Sequence, residues 1–311
     1  VYKRQATTEQ AIINEAHRRG FCVPDRKRGK PDDSTTAAGA YVAFPKKGYH
    51  DWVGSMDINS LYPSVFRALN MGQETIVGQL RPDFTDEELT NKMKLEKMSF
   101  ADAWLGKFGT NEYEMVMNKD VNTVMKLDME DGSHLDVTGA DVYNLIFNSG
   151  QPWCISSNGT IFKTDFKGVI PGLLERWYAE RQELQAKKKE ATTDEEIAFW
   201  DKRQLVKKIN LNSLYGAVLN PGCRFFDKRI GQSTTLTGRR ITRHMGAKVN
   251  ELLTGRYDHT GDCLVYGDTD SVYFTATPAL PEDMSLDMDG AIALYAVSYT
   301  HLTLPTNGCG G

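Results

Sequence analysis

The chain has 311 residues, which at about 150 per domain points to roughly two domains. Its residues are 40% hydrophobic and 25% charged, an ordinary globular balance that excludes a wholly disordered or fibrous chain. Lys and Arg number 37 against 41 Asp and Glu, a net charge of −4, so composition gives no sign of nucleic-acid binding and any basic surface has to be local.

No run approaches the ~20 apolar residues of a membrane span. Residues 1–5 lack the apolar run of a secretory signal. The five cysteines, Cys22, Cys154, Cys223, Cys263 and Cys309, are scattered and never form C-x-x-C. That spacing argues against a disulfide framework or a zinc site, and for a reducing, cytoplasmic setting.

In chain order, residues 8–19 read as a helix with Ala11, Ile12 and Ala16 on one face. Residues 24–31 are basic with Pro and Gly, and 32–38 are small and polar; both read as loop. Residues 52–58 form an apolar strand candidate carrying one acid, Asp57. A turn follows over 59–64, then a helix over 65–70 that Asn59 or Ser60 can cap and whose first turn suits Pro63. Residues 79–150 offer a charged helix at 86–98, a strand at 121–127 and no chemical motif. Residues 173–190 read as an amphipathic helix dense in Lys, Arg and Glu. Thr193 and Glu196 can form a capping box for a second helix from 195 to 215. Two helices of about 20 residues, ~30 Å each, joined by a short turn make an αα-hairpin. Residues 235–253 read as a helix. Residues 263–266 and 271–274 read as a β-hairpin with Asp268 and Asp270 at its tip. Residues 290–311 hold no Asp, Glu, Lys or Arg. Both 1–5 and 297–306 look like translated sequencing-adapter read-through, so neither end is expected to be native.

Three segments carry chemistry together: Asp57-Ile58-Asn59-Ser60-Leu61-Tyr62-Pro63-Ser64, Lys208-Ile209-Asn210-Leu211-Asn212-Ser213-Leu214-Tyr215-Gly216 and Tyr266-Gly267-Asp268-Thr269-Asp270-Ser271. Carboxylates at a strand end and a hairpin tip repel one another unless a cation neutralises them. Mg²⁺ takes oxygen ligands and uses one or two carboxylates with substrate phosphates. Two such ions ~3.5–4 Å apart can clamp the attacking and leaving oxygens of an in-line phosphoryl displacement. The turn at Ser60, Leu61 and Tyr62 opens a helix whose free N–H groups suit a triphosphate. Lys208, Asn212 and Tyr215, four and three residues apart, share one helix face.

These segments resemble motifs A, B and C of the family B DNA polymerases: D-x-x-S-L-Y-P-S, K-x-x-x-N-S-x-Y-G and Y-G-D-T-D-S. They occur in order, within a resemblance over residues 8–277. Glu74-Thr75-Ile76, and Gly168-Val169-Ile170-Pro171 followed by Arg181, resemble the T-even bacteriophage type. The resemblance implies an α+β fold: a polymerase palm with a ferredoxin-like core, an antiparallel sheet backed by helices, and an inserted helical-hairpin fingers domain. It implies a linker or remnant of the N-terminal and exonuclease region at 1–39, palm at 40–167 and 221–290, fingers at 168–220, and a non-native or disordered tail at 291–311.

The same resemblance implies DNA-templated DNA synthesis from dNTPs with two Mg²⁺ ions, for which Mn²⁺ can substitute. Asp57 and Asp270 are then the principal metal ligands, with Asp268 third and the Ile58 carbonyl assisting. Ser60, Leu61, Tyr62, Arg181, Lys208 and Asn212 meet the nucleotide, and Tyr62 acts as the steric gate against a 2′-hydroxyl. Tyr215 and Gly216 lie against the nascent base pair. The family often has a Lys four residues after Arg181; here Gln185 stands there, and Lys188 is the substitute unless 187–189 is a solvated run. Gly39-Ala40 occupies the place of Y-x-G-G/A, with Ala37 for the Tyr.

The implied partners are primer-template DNA and, for a full-length enzyme, a sliding clamp and replisome proteins, with no membrane. The implied location is the cytoplasm, that of an infected bacterium for a viral protein. The 56 residues before Asp57 are too few for a D-x-E exonuclease, and no K-x-Y or thumb follows Ser271. The expectation is therefore a fragment that binds metal and dNTP weakly and extends primers poorly or not at all. The alternatives are an inactive remnant that only binds DNA or nucleotide, and a D-x-D metal-dependent glycosyltransferase. The latter leaves 208–216 and Tyr62 unexplained.

Overall fold

A computed structural model describes residues 2–25, 39–281 and 284–302. The loop expected within 26–38 and the last residues of the tail, 303–311, lie outside the described residues. The elements are α1 (Tyr2–Arg18), β1 (Gly54–Asp57), α2 (Leu61–Ala68), β2 (Ile76–Leu80), α3 (Asp86–Leu95), α4 (Phe100–Lys107), α5 (Thr110–Met117), β3 (Val124–Met129), β4 (His134–Thr138), α6 (Gly139–Tyr143), β5 (Trp153–Ile155), β6 (Thr160–Lys163), α7 (Val169–Glu190), α8 (Asp194–Val218), α9 (Lys228–Thr254), β7 (Leu264–Asp268), β8 (Ser271–Phe274) and α10 (Met288–Leu302). Helices and antiparallel sheets together make the fold α+β. Among the described residues no helix is long and apolar enough to cross a membrane.

The chain divides into two compact units, one of Val1–Ala38 and Tyr62–Thr237, the other of Gly39–Leu61 and Gly238–Gly311. In the first, an antiparallel sheet runs β4-β3-β2-β6-β5. Its core is Val77, Leu80, Val116, Met125, Leu127, Val142, Ile146, Ile155 and Ile161. Side-chain caps set several helix starts: Thr85, Ser99, Thr138 and Thr193 each accept a backbone N–H of the first turn. The paired helices α7 and α8 form the expected αα-hairpin. Helix α1 packs on both, and its buried Glu15 takes a 2.7 Å bond from Arg176 and another from Arg18. The first unit thus gathers 62–167 with the helical hairpin, and side chains explain why. Asn70 Oδ1 accepts from Gly168 N–H at 2.9 Å and Glu74 from Val169 N–H at 2.5 Å, fastening the start of α7.

In the second unit the sheet is β1-β8-β7, all antiparallel. Met56, Val249, Leu264, Val272 and Phe274 are its core. Beyond β7, the segment 41–46 runs alongside: Ala43 N–H bonds to Gly267 O, Lys46 N–H to Val265 O, and Val42 bridges to Asp268. The tail from 291, expected to be non-native or disordered, is helical as far as Leu302. Tyr295 anchors that helix, with its ring 4.9 Å from Phe274 and its hydroxyl donating to Trp52 O at 2.7 Å. A run rich in Ala and Leu favours helix once one aromatic side chain is docked.

Candidate active site

Asp57 closes β1 and Asp268 closes β7, with β8 between them. Both pair in register with Ser271. Directly paired residues face the same side of a sheet, so the two carboxyl groups flank Ser271, two strand spacings apart, about 9.5 Å of backbone. Asp57 and Asp268 are exposed, and Asp270 in the connecting turn is half-buried. The Ile58 N–H donates to the Asp270 carbonyl at 2.8 Å, fastening the turn to the end of β1. Burial, then the charges of Asp57 and Asp268, raise the Asp270 carboxyl above the usual carboxylate range.

The tip is held in a strained shape. Thr269 has φ +53°, rare for a β-branched residue. The Asp270 N–H bonds back to Asp268 O at 2.6 Å, closing a γ-turn around Thr269. Strain of this kind costs about 1–3 kcal/mol and needs outside support. Two residues that no sequence motif singles out supply it. Tyr41 O accepts from the Thr269 N–H at 2.8 Å, and the Thr242 hydroxyl donates to Thr269 O at 2.6 Å. The Thr269 hydroxyl itself donates to the Asp268 carboxylate at 2.9 Å. Neither Tyr41 nor Thr242 carries a local signal, because the contact exists only after folding. Ser60, three residues after Asp57, also has positive φ, +58°, and its hydroxyl donates to the Asn59 side chain.

The remaining expected residues belong to the first unit, apart from Leu61, which closes the 39–61 segment of the second. Tyr62 and Tyr215 lie with ring centroids 4.7 Å apart. Burial, and then Tyr62, push the Tyr215 phenol up, so it stays neutral. Lys208, Asn212 and Gly216 are exposed along one face of α8, and a Cβ at Gly216 would meet nothing within 4 Å. Arg181 is different: it is only 9% exposed, with its Nε–H directed at Gln204 Oε1, 3.4 Å away. Lys188, the candidate substitute cation, is engaged across the helical hairpin by Asp201 at 2.6 Å. There it forms an ion pair between the two helices.

Among the described residues, no three His, Cys, Asp or Glu side chains close into a ready-made metal cage. The donors at the sheet end are all carboxylate oxygens, two of them exposed. That set fits a hard divalent cation that keeps water or phosphate as its other ligands, and it does not fit a thiolate or imidazole metal.

Two segments noted in the sequence meet within the first unit, since Glu74 accepts the N–H of Val169. The family model described as DNA polymerase family B matches residues 1–286. A DNA polymerase of Paramecium bursaria Chlorella virus NY2A is 29% identical over 92% of this chain and 25% of its own length. The DNA-directed DNA polymerase of Escherichia phage RB69 is 23% identical over 89% of the chain and 30% of its own. That of Enterobacteria phage T4 is 27% identical over 80% and 28%. The chain therefore spans between 25% and 30% of the length of these relatives.

Proposed function

The chain belongs to DNA polymerase family B, and from that membership we propose that it is the nucleotide-joining part of a DNA-templated DNA polymerase. In this reading 40–167 and 221–290 form the palm, 168–220 the fingers, and 1–39 a linker toward the N-terminal and exonuclease region. The observation that carries it is the gathering of Asp57, Asp268 and Asp270 at one end of the β1-β8-β7 sheet.

Asp57 and Asp270 would hold two magnesium ions, with Asp268 third and the Ile58 carbonyl assisting. Such ions supply charge neutralisation at the α-phosphate and at the primer 3′-hydroxyl, and manganese can replace magnesium. The chain's own work is positioning, which accounts for most of the catalysis of phosphoryl transfer. The N–H groups of Ser60, Leu61 and Tyr62 face the triphosphate at the start of α2. Lys208 adds a point charge and Asn212 a hydrogen bond. Arg181 joins them after leaving Gln204. The Tyr62 ring closes the space a ribose 2′-hydroxyl would need, and Gly216 beside Tyr215 lets the nascent base pair approach the helix. Primer-template DNA and dNTPs are the substrates; a clamp and replisome proteins belong to the longer polypeptide. The glycosyltransferase alternative gains nothing from the family match.

The test is manganese uptake by the chain, read by electron paramagnetic resonance, beside single-nucleotide primer extension. Uptake and any extension should disappear in the Asp57→Asn, Asp270→Asn double variant. Either activity surviving both substitutions would overturn the assignment.

A further inference from the structure

On the flank of β7, within the second unit, lies a cavity of about 460 Å³. Its walls are the 41–46 segment, one face of α9, the loop at 259–260 and β7 up to Gly267, so it adjoins the carboxylate tip, but none of the three carboxylates lines it. That volume is within the range of roughly 300–1,000 Å³ typical of small-molecule sites.

Its lining joins flat rings to an arginine that carries a buried, unsatisfied donor. Tyr41 and His259 stand edge to face with centroids 6.3 Å apart. The Arg243 guanidinium lies 5.1 Å from the Tyr41 ring centre, and its Nε–H is buried without a hydrogen-bond partner. A buried unsatisfied donor on a cationic group is costly, and an anion would relieve it. Lys46 lines the same cavity; its ammonium donates to Gly261 O at 2.6 Å and lies 3.7 Å from the exposed Asp262. Burial, and then the Arg243 charge, lower the His259 pKa, with the Asp258 charge opposing. His259 therefore presents a neutral ring, and the anion-binding charge resides on Arg243 and Lys46. Val42 adds an apolar wall.

We propose that this cavity is a second nucleotide site, which binds an aromatic base carrying a 5′-phosphate monoester. The base lies against Tyr41 and His259, and the phosphate meets Arg243 and Lys46. Two sources share this chemistry: a free nucleoside monophosphate and the 5′-phosphorylated end of a strand. The site needs no metal and none of the three carboxylates, so it stands or falls independently of the polymerase reading.

The experiment is calorimetric titration of the full chain with dAMP in excess EDTA. Binding is expected, with deoxyadenosine roughly tenfold or more weaker because it lacks the phosphate. Arg243→Gln should weaken dAMP by a similar factor and Arg243→Lys by less, while Asp270→Asn leaves it unchanged. Thr260→Trp, which puts bulk into the lining and leaves Arg243 in place, should also weaken binding roughly tenfold or more. It keeps the test open if Arg243→Gln fails to fold. A 5′-phosphorylated tetranucleotide that binds and competes with dAMP identifies a strand end; one that does not bind identifies the free nucleotide. No dAMP binding overturns the proposal. So does equal binding of deoxyadenosine or of the unphosphorylated tetranucleotide, or binding insensitive to both Arg243→Gln and Thr260→Trp.

Discussion

Glu112 sits in the first turn of α5, 3% exposed, with one carboxyl oxygen buried and unpartnered. Burial first, with the nearby Asp83 adding, pushes its carboxyl up to about 8 from an ordinary 4.5. Between those two values the folded chain holds a proton that the unfolded chain has released. Stability from this group is thus complete below 4.5 and is lost as pH rises toward 8. Glu112→Gln should remove the slope, raising the urea midpoint at pH 8 and leaving it little changed at pH 4.5; equal effects at both pH values would refute the assignment. Tyr62 makes a different prediction. Its ring lies against Tyr215, and Tyr62→Ala should admit ribonucleotides in primer extension, cutting the preference for dATP over ATP by roughly tenfold or more. Unchanged sugar discrimination would count against the gate. The places of the three acids, on a strand end and a hairpin tip, were legible in the sequence because they sit in ordered motifs. Glu112, the Arg181–Gln204 contact and the Lys188–Asp201 pair were not, since each depends on a neighbour brought in by folding.

At the scale of elements, caps and helical periodicity announced α3, α7 and α8, and the turn residues between two apolar runs announced the β7–β8 hairpin. The 79–150 stretch was harder for a physical reason. In β3, Met125 and Leu127 are buried while Val124 and Lys126 are exposed, a pattern of period two carried by very few residues. β2 is buried on nearly every position, so it shows no alternation. β5 and β6 have three and four residues, too short to show a period. Helix α6 is placed by close backbone approach instead of by pattern. A Cβ on Gly139, its first residue, would lie 2.2 Å from the Met115 carbonyl oxygen at the end of α5. A backbone carbonyl between two elements has little room to yield. Gly139→Ala should therefore destabilise the first unit by about 3 kcal/mol, measured by urea unfolding. A loss below about 0.5 kcal/mol, the level of an ordinary surface change, would show that α5 and α6 can part.

For the molecule as a whole, acids exceed bases by four, and three of the acids converge at the end of one sheet. Like charges so placed oppose folding of the second unit until something offsets them. The raised Asp270 carboxyl, crowded by burial, Asp57 and Asp268, is the local sign of that opposition. Asp270→Asn removes one of the charges and one of the proposed metal ligands together, so its effect on stability should change sign with the solution. In EDTA at neutral pH the variant should melt higher than the wild-type chain, by about 1 kcal/mol for one relieved repulsion. Magnesium at about ten times its dissociation constant adds about 1.4 kcal/mol to a chain that binds it only when folded. The wild-type midpoint should then climb past that of the variant, which gains little. Scanning calorimetry of both proteins with and without magnesium reads this crossover directly. If instead the two midpoints keep the same order in both solutions, the carboxylates are a solvated turn and the case for metal-assisted nucleotidyl transfer by this chain fails. A crossover that also follows calcium, which prefers more ligands at longer distance, would mean that the sheet end selects for divalent charge before it selects for size.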